Sequence, residues 1–150
     1  MTSEPRVLII EDDDVLRAML FTILRYQPVS VDTASDANDA LEKVSSCDYA
    51  LIVIDAGLAD GACEAFLTEF RSRRPEATSC VIAIRDPQSE TCLDSEIVTA
   101  VLNKPIEIQT LADLVRECAV IVPQPDDPLP CPPAESTSRS GFDRSSGLTN

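Results

Sequence analysis

The feature that most restricts this chain is an alternation running through its first 122 residues, in which short Val/Ile-rich runs are separated by segments of helical spacing. The runs are Val7 to Ile10, Val29 to Val31, Ala50 to Ile54, Val81 to Ile84 and Val98 to Leu102. They are apolar at successive positions, as strands buried on both faces are. Between them, Leu16, Met19, Leu20, Ile23 and Leu24 form one helical stripe, and Ala37, Ala40, Leu41 and Val44 another, with Ser35 placed to cap it. Ala62, Ala65, Phe66 and Phe70 form a third, and Ile108, Leu111, Leu114, Val115 and Cys118 a last one. The segment from Gln88 to Glu96 is the weakest helix, with only Cys92 and Leu93 as apolar members. Strand followed by helix, five times over, requires parallel strands with crossover helices on both faces. The expected fold class is therefore α/β, a doubly wound five-stranded parallel sheet.

The pattern stops near Val122. Six prolines fall between Pro123 and Pro133, and Ala134 to Asn150 is dominated by Ser, Thr, Gly and charge. Such a composition buries too little apolar surface to offset chain ordering. One domain over residues 1–122 and a disordered Pro/Ser-rich tail over 123–150 are expected.

Charge narrows the partners. The chain carries 26 acidic and 12 basic side chains and no histidine, a formal net charge of −14. A surface this negative repels phosphate backbones and anionic headgroups, so neither nucleic acid nor membrane is an expected direct partner. Without histidine there is no Ser-His-Asp triad and no imidazole-liganded zinc. The six cysteines contain no CxxC pair and mostly sit in apolar stretches, so they read as reduced, buried small hydrophobes. The apolar run behind the polar start is only Val7 to Ile10, far short of a signal peptide or a membrane span, and a cytoplasmic location is expected.

In a doubly wound sheet, ligands sit beyond the carboxyl ends of the strands, where strand order reverses. Glu11-Asp12-Asp13-Asp14 follows the first strand, Asp55 ends the third, and Lys104-Pro105 follows the fifth. Asp13 and Asp14 suit a helix N-terminus. If the ends of strands one, three and five lie side by side, Glu11, Asp12, Asp55 and Lys104 meet. Crowded carboxylates repel unless a cation intervenes, and oxygen ligands without sulfur or imidazole favour magnesium or manganese. An Asp beside such an ion can attack phosphorus, with an ammonium neutralising the transferred oxygens.

On Val7-Leu8-Ile9-Ile10-Glu11-Asp12-Asp13, Ile52-Val53-Ile54-Asp55-Ala56-Gly57-Leu58 and Leu102-Asn103-Lys104-Pro105-Ile106, the sequence resembles the receiver domain of bacterial two-component response regulators, over about residues 5 to 120. The resemblance implies a flavodoxin-like fold and a phosphoacceptor at Asp55, supplied by a sensor histidine kinase or phosphotransfer protein. It implies Mg2+ held by Glu11, Asp12, Asp55 and the Gly57 carbonyl, a phosphoryl contact from Lys104, and a cis bond before Pro105.

Several positions depart from that family. Arg85 and Asp86 stand where a hydroxyl and a small residue are expected, Val101 replaces the aromatic of the fifth strand, and Ala59 and Cys63 replace a proline and a glycine. The hydroxyl–aromatic relay is therefore missing, and Arg85 has three readings. It forks onto the phosphoryl oxygens, it pairs at rest with Asp55 or the acidic cluster, or it lies in solvent or beside Asp86.

The leading expectation is a stand-alone phosphoacceptor signalling protein acting through a downstream protein. The alternative is a phosphorylation-independent pseudo-receiver that serves as an interaction module. An enzyme is not expected: an Asp-nucleophile phosphohydrolase would normally carry a second Asp at the place of Gly57, and neither GxxxxGK[ST] nor GxGxxG occurs.

Overall fold

The structure, a computed structural model, describes residues 4–89, 93–121 and 131–137. Its elements are β1 (Arg6–Ile10), α1 (Asp14–Leu24), β2 (Ser30–Ala34), α2 (Ala37–Ser46), β3 (Leu51–Asp55), a 3-10 turn (Ala59–Gly61), α3 (Ala62–Arg73), β4 (Cys80–Arg85), β5 (Ala100–Asn103), α4 (Ile108–Ile121) and β6 (Ser136–Thr137). The sheet order is β5-β4-β3-β1-β2-β6. The first five strands pair in parallel and β6 joins β2 antiparallel.

The expected alternation of faces holds in the central strands. Leu8, Ile10, Ile52, Ile54, Val81 and Ala83 point to the face covered by α2 and α3, where Ala40, Val44, Phe66 and Phe70 meet them. Val7, Ile9, Leu51, Val53, Ile82 and Ile84 point to the face covered by α1 and α4, against Leu20, Leu24, Leu111 and Val115. Two-sided burial of β1 and β3 explains their unbroken apolar runs.

Four expectations change. The N-cap of α2 is Asp36, not Ser35: the backbone stays extended through Asp36, whose Oδ1 accepts from Asp39 N at 2.8 Å. The buried stripe of α3 is Cys63, Phe66, Leu67 and Phe70, while Ala65 is exposed. β5 starts two residues later than the Val98–Leu102 run and, as an edge strand, alternates half-buried and exposed residues. The expected helix from Gln88 to Glu96 falls partly outside the described residues, and its described parts are turn and coil.

The tail also differs over a short stretch. Residues 131–137 lie along the β2 edge, where Ser136 and Thr137 pair with Val31 and Ser30. The rest of the expected disordered region, 123–130 and 138–150, lies outside the described residues. Cys47, Cys63, Cys80 and Cys118 are buried free thiols and Cys131 is half-buried; Cys92 lies outside the described residues.

Candidate functional site

The carboxyl ends of β1 and β3 are neighbours, so their last residues converge. Glu11, Asp12 and Asp55 place one carboxylate oxygen each within 4.8 Å of one another. Glu11 and Asp55 are 1% and 6% exposed, and Asp12 faces solvent. The main chain fixes this cluster. Glu11 N donates to Ala34 O at 3.1 Å, tying the loop to β2, and Asp13 caps α1 by accepting from Leu16 N at 2.9 Å. The cap directs the chain into a helix directly behind the acidic pair.

Each oxygen of Asp55 has a partner. Oδ1 accepts from Gly57 N at 2.8 Å, and Oδ2 lies 3.3 Å from the Lys104 ammonium. A Cβ at position 57 would stand 3.3 Å from Asp55 Oδ1, so glycine allows the turn to close this tightly on the carboxylate. Leu58 N donates back to the Asp55 carbonyl at 3.3 Å. The turn onward needs left-handed backbone at Asp60 (φ 61°) and Gly61 (φ 69°) before α3 can begin.

Lys104 arrives by a different geometry from the one expected. Strands one, three and five are not side by side, because β4 lies between β3 and β5. Lys104 N donates to Arg85 O at 2.8 Å, which holds the end of β5 against β4, and the Lys104–Pro105 bond is cis. From there the four-carbon side chain spans the intervening strand to Asp55.

Glu11 is electrostatically exposed to conflict. Its Oε2 accepts from Asp13 N at 3.1 Å, while Oε1 is buried without a partner. Burial, reinforced by the neighbouring Asp55 and Asp12, pushes its carboxyl from 4.5 up to about 8. An orphaned buried carboxylate oxygen facing two further carboxylates is the donor set a hard divalent cation fits.

Arg85 ends β4 half-buried, and its Nε is buried without a partner. Among the described residues it forms no ion pair with Glu11, Asp12, Asp55 or Asp86. Asp86 instead accepts from Gln88 N at 2.9 Å. The resting pair and the Asp86 pair are therefore not what the structure contains. Val101 is 38% exposed on the edge strand. Cys63, at the expected glycine position, is fully buried in the α3 face, and burial pushes its thiol up to about 11.

Sequence reasoning missed a second polar cluster. Asp32, 4% exposed in β2, accepts from Tyr49 Oη at 2.7 Å and pairs with Arg6 at 2.7 Å. The available signal was an acid at the centre of Val31-Asp32-Thr33, a position that buries a charge only if something answers it.

This fold and this site define a receiver-type signalling domain. The chain belongs to the response regulator receiver domain family, which it matches over residues 7–116. It is 27% identical over 112 residues to the transcriptional regulatory protein PmrA of Pectobacterium parmentieri, covering 74% of this chain and 50% of that protein. It is 38% identical over 68 residues to the two-component response regulator PhoP of Pseudomonas aeruginosa, covering 45% and 30%. The chain thus spans about half the length, or less, of these relatives. A CheY-like receiver domain from Methylobacillus flagellatus superposes with a TM-score of 0.69 at 25% identity, covering 77% of this chain and 99% of that one. TrrA from Thermotoga maritima, solved in complex with Mg2+-BeF, gives a TM-score of 0.66 at 22% identity, covering 76% and 98%, a likeness of fold. Receiver domains are signalling domains of two-component systems, and they bind Mg2+ at an acidic pocket. No helix among the described residues is long and apolar enough to cross a membrane.

Proposed function

We propose that this receiver accepts a phosphoryl group on Asp55 from a phosphohistidine of a sensor kinase or phosphotransfer protein, and passes the signal to a protein partner. The observation that carries the reading is the convergence of three carboxylates within 4.8 Å, one of them with an unanswered buried oxygen, beside an ammonium 3.3 Å from Asp55. Glu11, Asp12, Asp55 and the Gly57 carbonyl would hold Mg2+ or Mn2+, which supplies charge neutralisation at the phosphoryl oxygens.

The chain's own groups do the rest. A carboxylate oxygen of Asp55 attacks phosphorus, the bond from phosphorus to the donor's imidazole nitrogen breaks, and an acyl phosphate forms. Gly57 N holds Oδ1 so that the carboxylate stays aimed along one direction. Lys104 moves from carboxylate to phosphoryl oxygen, neutralising part of the charge of about −1.5 to −2 that the phosphoryl group carries. Arg85, with no partner for its buried Nε, supplies the donor that a hydroxyl would otherwise supply, and does so with a planar fork.

The test is intact mass after exposure to a small-molecule phosphodonor with and without magnesium. One acid-stable, base-labile phosphoryl group is expected, dependent on the cation and absent from Asp55→Ala. No mass shift, or an undiminished shift in Asp55→Ala, overturns the proposal. Arg85→Thr should change phosphorylation rate or magnesium dependence; no change in either removes Arg85 from the site.

The pseudo-receiver reading is favoured by one feature, the missing relay: Arg85 cannot move as a hydroxyl does, and Val101 is an exposed edge residue with no ring to swing inward. A protein that neither binds magnesium nor takes a phosphoryl group, yet still captures its partner, would establish it.

A further inference from the structure

Residues 131–137 form a strap across the β2 edge, anchored at Cys131, Pro132, Glu135, Ser136 and Thr137. Arg6 donates to Pro132 O at 2.7 Å, and Glu135 N donates to Asp32 Oδ1 at 2.9 Å. The Glu135 carboxylate accepts from Thr33 N and Thr33 Oγ1, both at 2.9 Å, and lies 3.5 Å from the Lys43 ammonium. At the strap's near end the Cys131 thiol reaches, at 3.7 Å, the carbonyl oxygen of Ser46, the residue directly before Cys47 at the end of α2. Cys131 packs on the same apolar cluster that contains Cys47.

We propose that Cys47 and Cys131 are an oxidation-closed latch, in which a peroxide-class oxidant converts the two thiols into a disulfide that fastens the strap over β2. The half-buried Cys131 reacts first. Its thiolate attacks a peroxide oxygen, the O–O bond breaks, and for hydrogen peroxide one water leaves with a sulfenic acid formed. The Cys47 sulfur then displaces that hydroxyl, which departs as water with the Cys47 proton. The balance is two thiols and one peroxide giving one disulfide and two waters.

The division of roles follows from access. Cys47 is 4% exposed, and burial with the adjoining Cys131 pushes its thiol up to about 12, so it waits as the resolving partner. A second pair of thiols, Cys80 and Cys118, shares the other apolar cluster, but both members are buried, at 8% and 4% exposure, between β4 and α4. An oxidant reaches the first pair and not the second. With the latch open, the strap is held by polar contacts that water can replace, and β2 is an edge that another strand could join. With it closed, a covalent bond holds the strap over that edge until a reductant opens it.

The latch does not depend on the proposed phosphorylation, and its test runs on the full chain and on Asp55→Ala alike. The reduced protein is treated with one equivalent of hydrogen peroxide, blocked with an alkylating agent, digested and mapped without reductant. The expected result is one intramolecular Cys47–Cys131 peptide pair, reversed by dithiothreitol and absent from Cys131→Ser. Hydrogen exchange at the Thr33 amide, which Glu135 holds, should slow by at least about tenfold in the oxidised form. A Cys80–Cys118 linkage, an intermolecular disulfide, over-oxidation without a disulfide, or unchanged exchange at Thr33 would each overturn the proposal.

Discussion

A carboxyl group that is 1% exposed, with one oxygen unanswered and two more carboxylates beside it, is costly to ionise, and the protein leaves Glu11 in that position. Its carboxyl stays protonated in the folded chain up to about pH 8, whereas the unfolded chain ionises it near 4.5. Its contribution to stability is therefore complete below pH 4.5 and lost as pH rises through about 8. For magnesium-free protein, urea midpoints should show Glu11→Gln gaining on the parent between pH 5 and pH 8; a constant difference across that window would remove the cause. At the second polar cluster, Tyr49→Phe leaves Asp32 without the 2.7 Å hydroxyl donor. That substitution should cost about 1 to 2 kcal/mol in denaturant unfolding. Among individual residues, Glu11, Asp12, Asp55 and Lys104 could be picked out from sequence because each stands within two residues of the end of an apolar run. Asp32 gave only the signal of an acid within an apolar run and Glu135 gave none, because the groups that answer them, Arg6 and Tyr49 for the first and Thr33 and Lys43 for the second, are distant in sequence.

At the scale of elements, helix starts and buried stripes separate what periodicity shows from what packing settles. Asp36→Ala removes the side chain that holds Asp39 N and should cost about 1 kcal/mol, while Ser35→Ala should stay within about 0.5 kcal/mol. Thermal unfolding of the two variants distinguishes the caps. Phe66 is fully buried and stacks on Phe70 with ring centroids 5.9 Å apart. Phe66→Ala should lose about 3 to 5 kcal/mol in the same measurement. Phe66 and Phe70 were legible because large aromatics four apart mark one face of a helix. Ala65 was misplaced because alanine suits the core and the surface almost equally, and Leu67 was overlooked for it. In β5, apolar residues continue on both sides of the strand's start, so only the pairing of Ala100 with Ile82 sets where it begins.

For the whole molecule, the C-terminal strap is the feature that composition argued against and that long-range contacts created. Removing residues 131–150 takes away the Glu135 bonds to Asp32 and Thr33 and the Arg6 bond to Pro132. The truncated chain should keep its far-UV circular dichroism and lose about 1 to 2 kcal/mol of stability. Loss of the folded signal altogether would show that the strap is part of the domain core.

From the sequence alone came the parallel α/β class and the reversal point at which acids and a lysine should meet. Local periodicity and strand-end position encode both, and neither needs a partner from elsewhere in the chain. Tertiary structure alone decided that β4 separates β3 from β5, that Arg85 pairs with none of Glu11, Asp12, Asp55 and Asp86 among the described residues, and that a proline-rich segment returns to cover β2. Those outcomes depend on which distant groups satisfy one another once buried, and a buried polar atom acquires or lacks its partner only when the whole chain has packed.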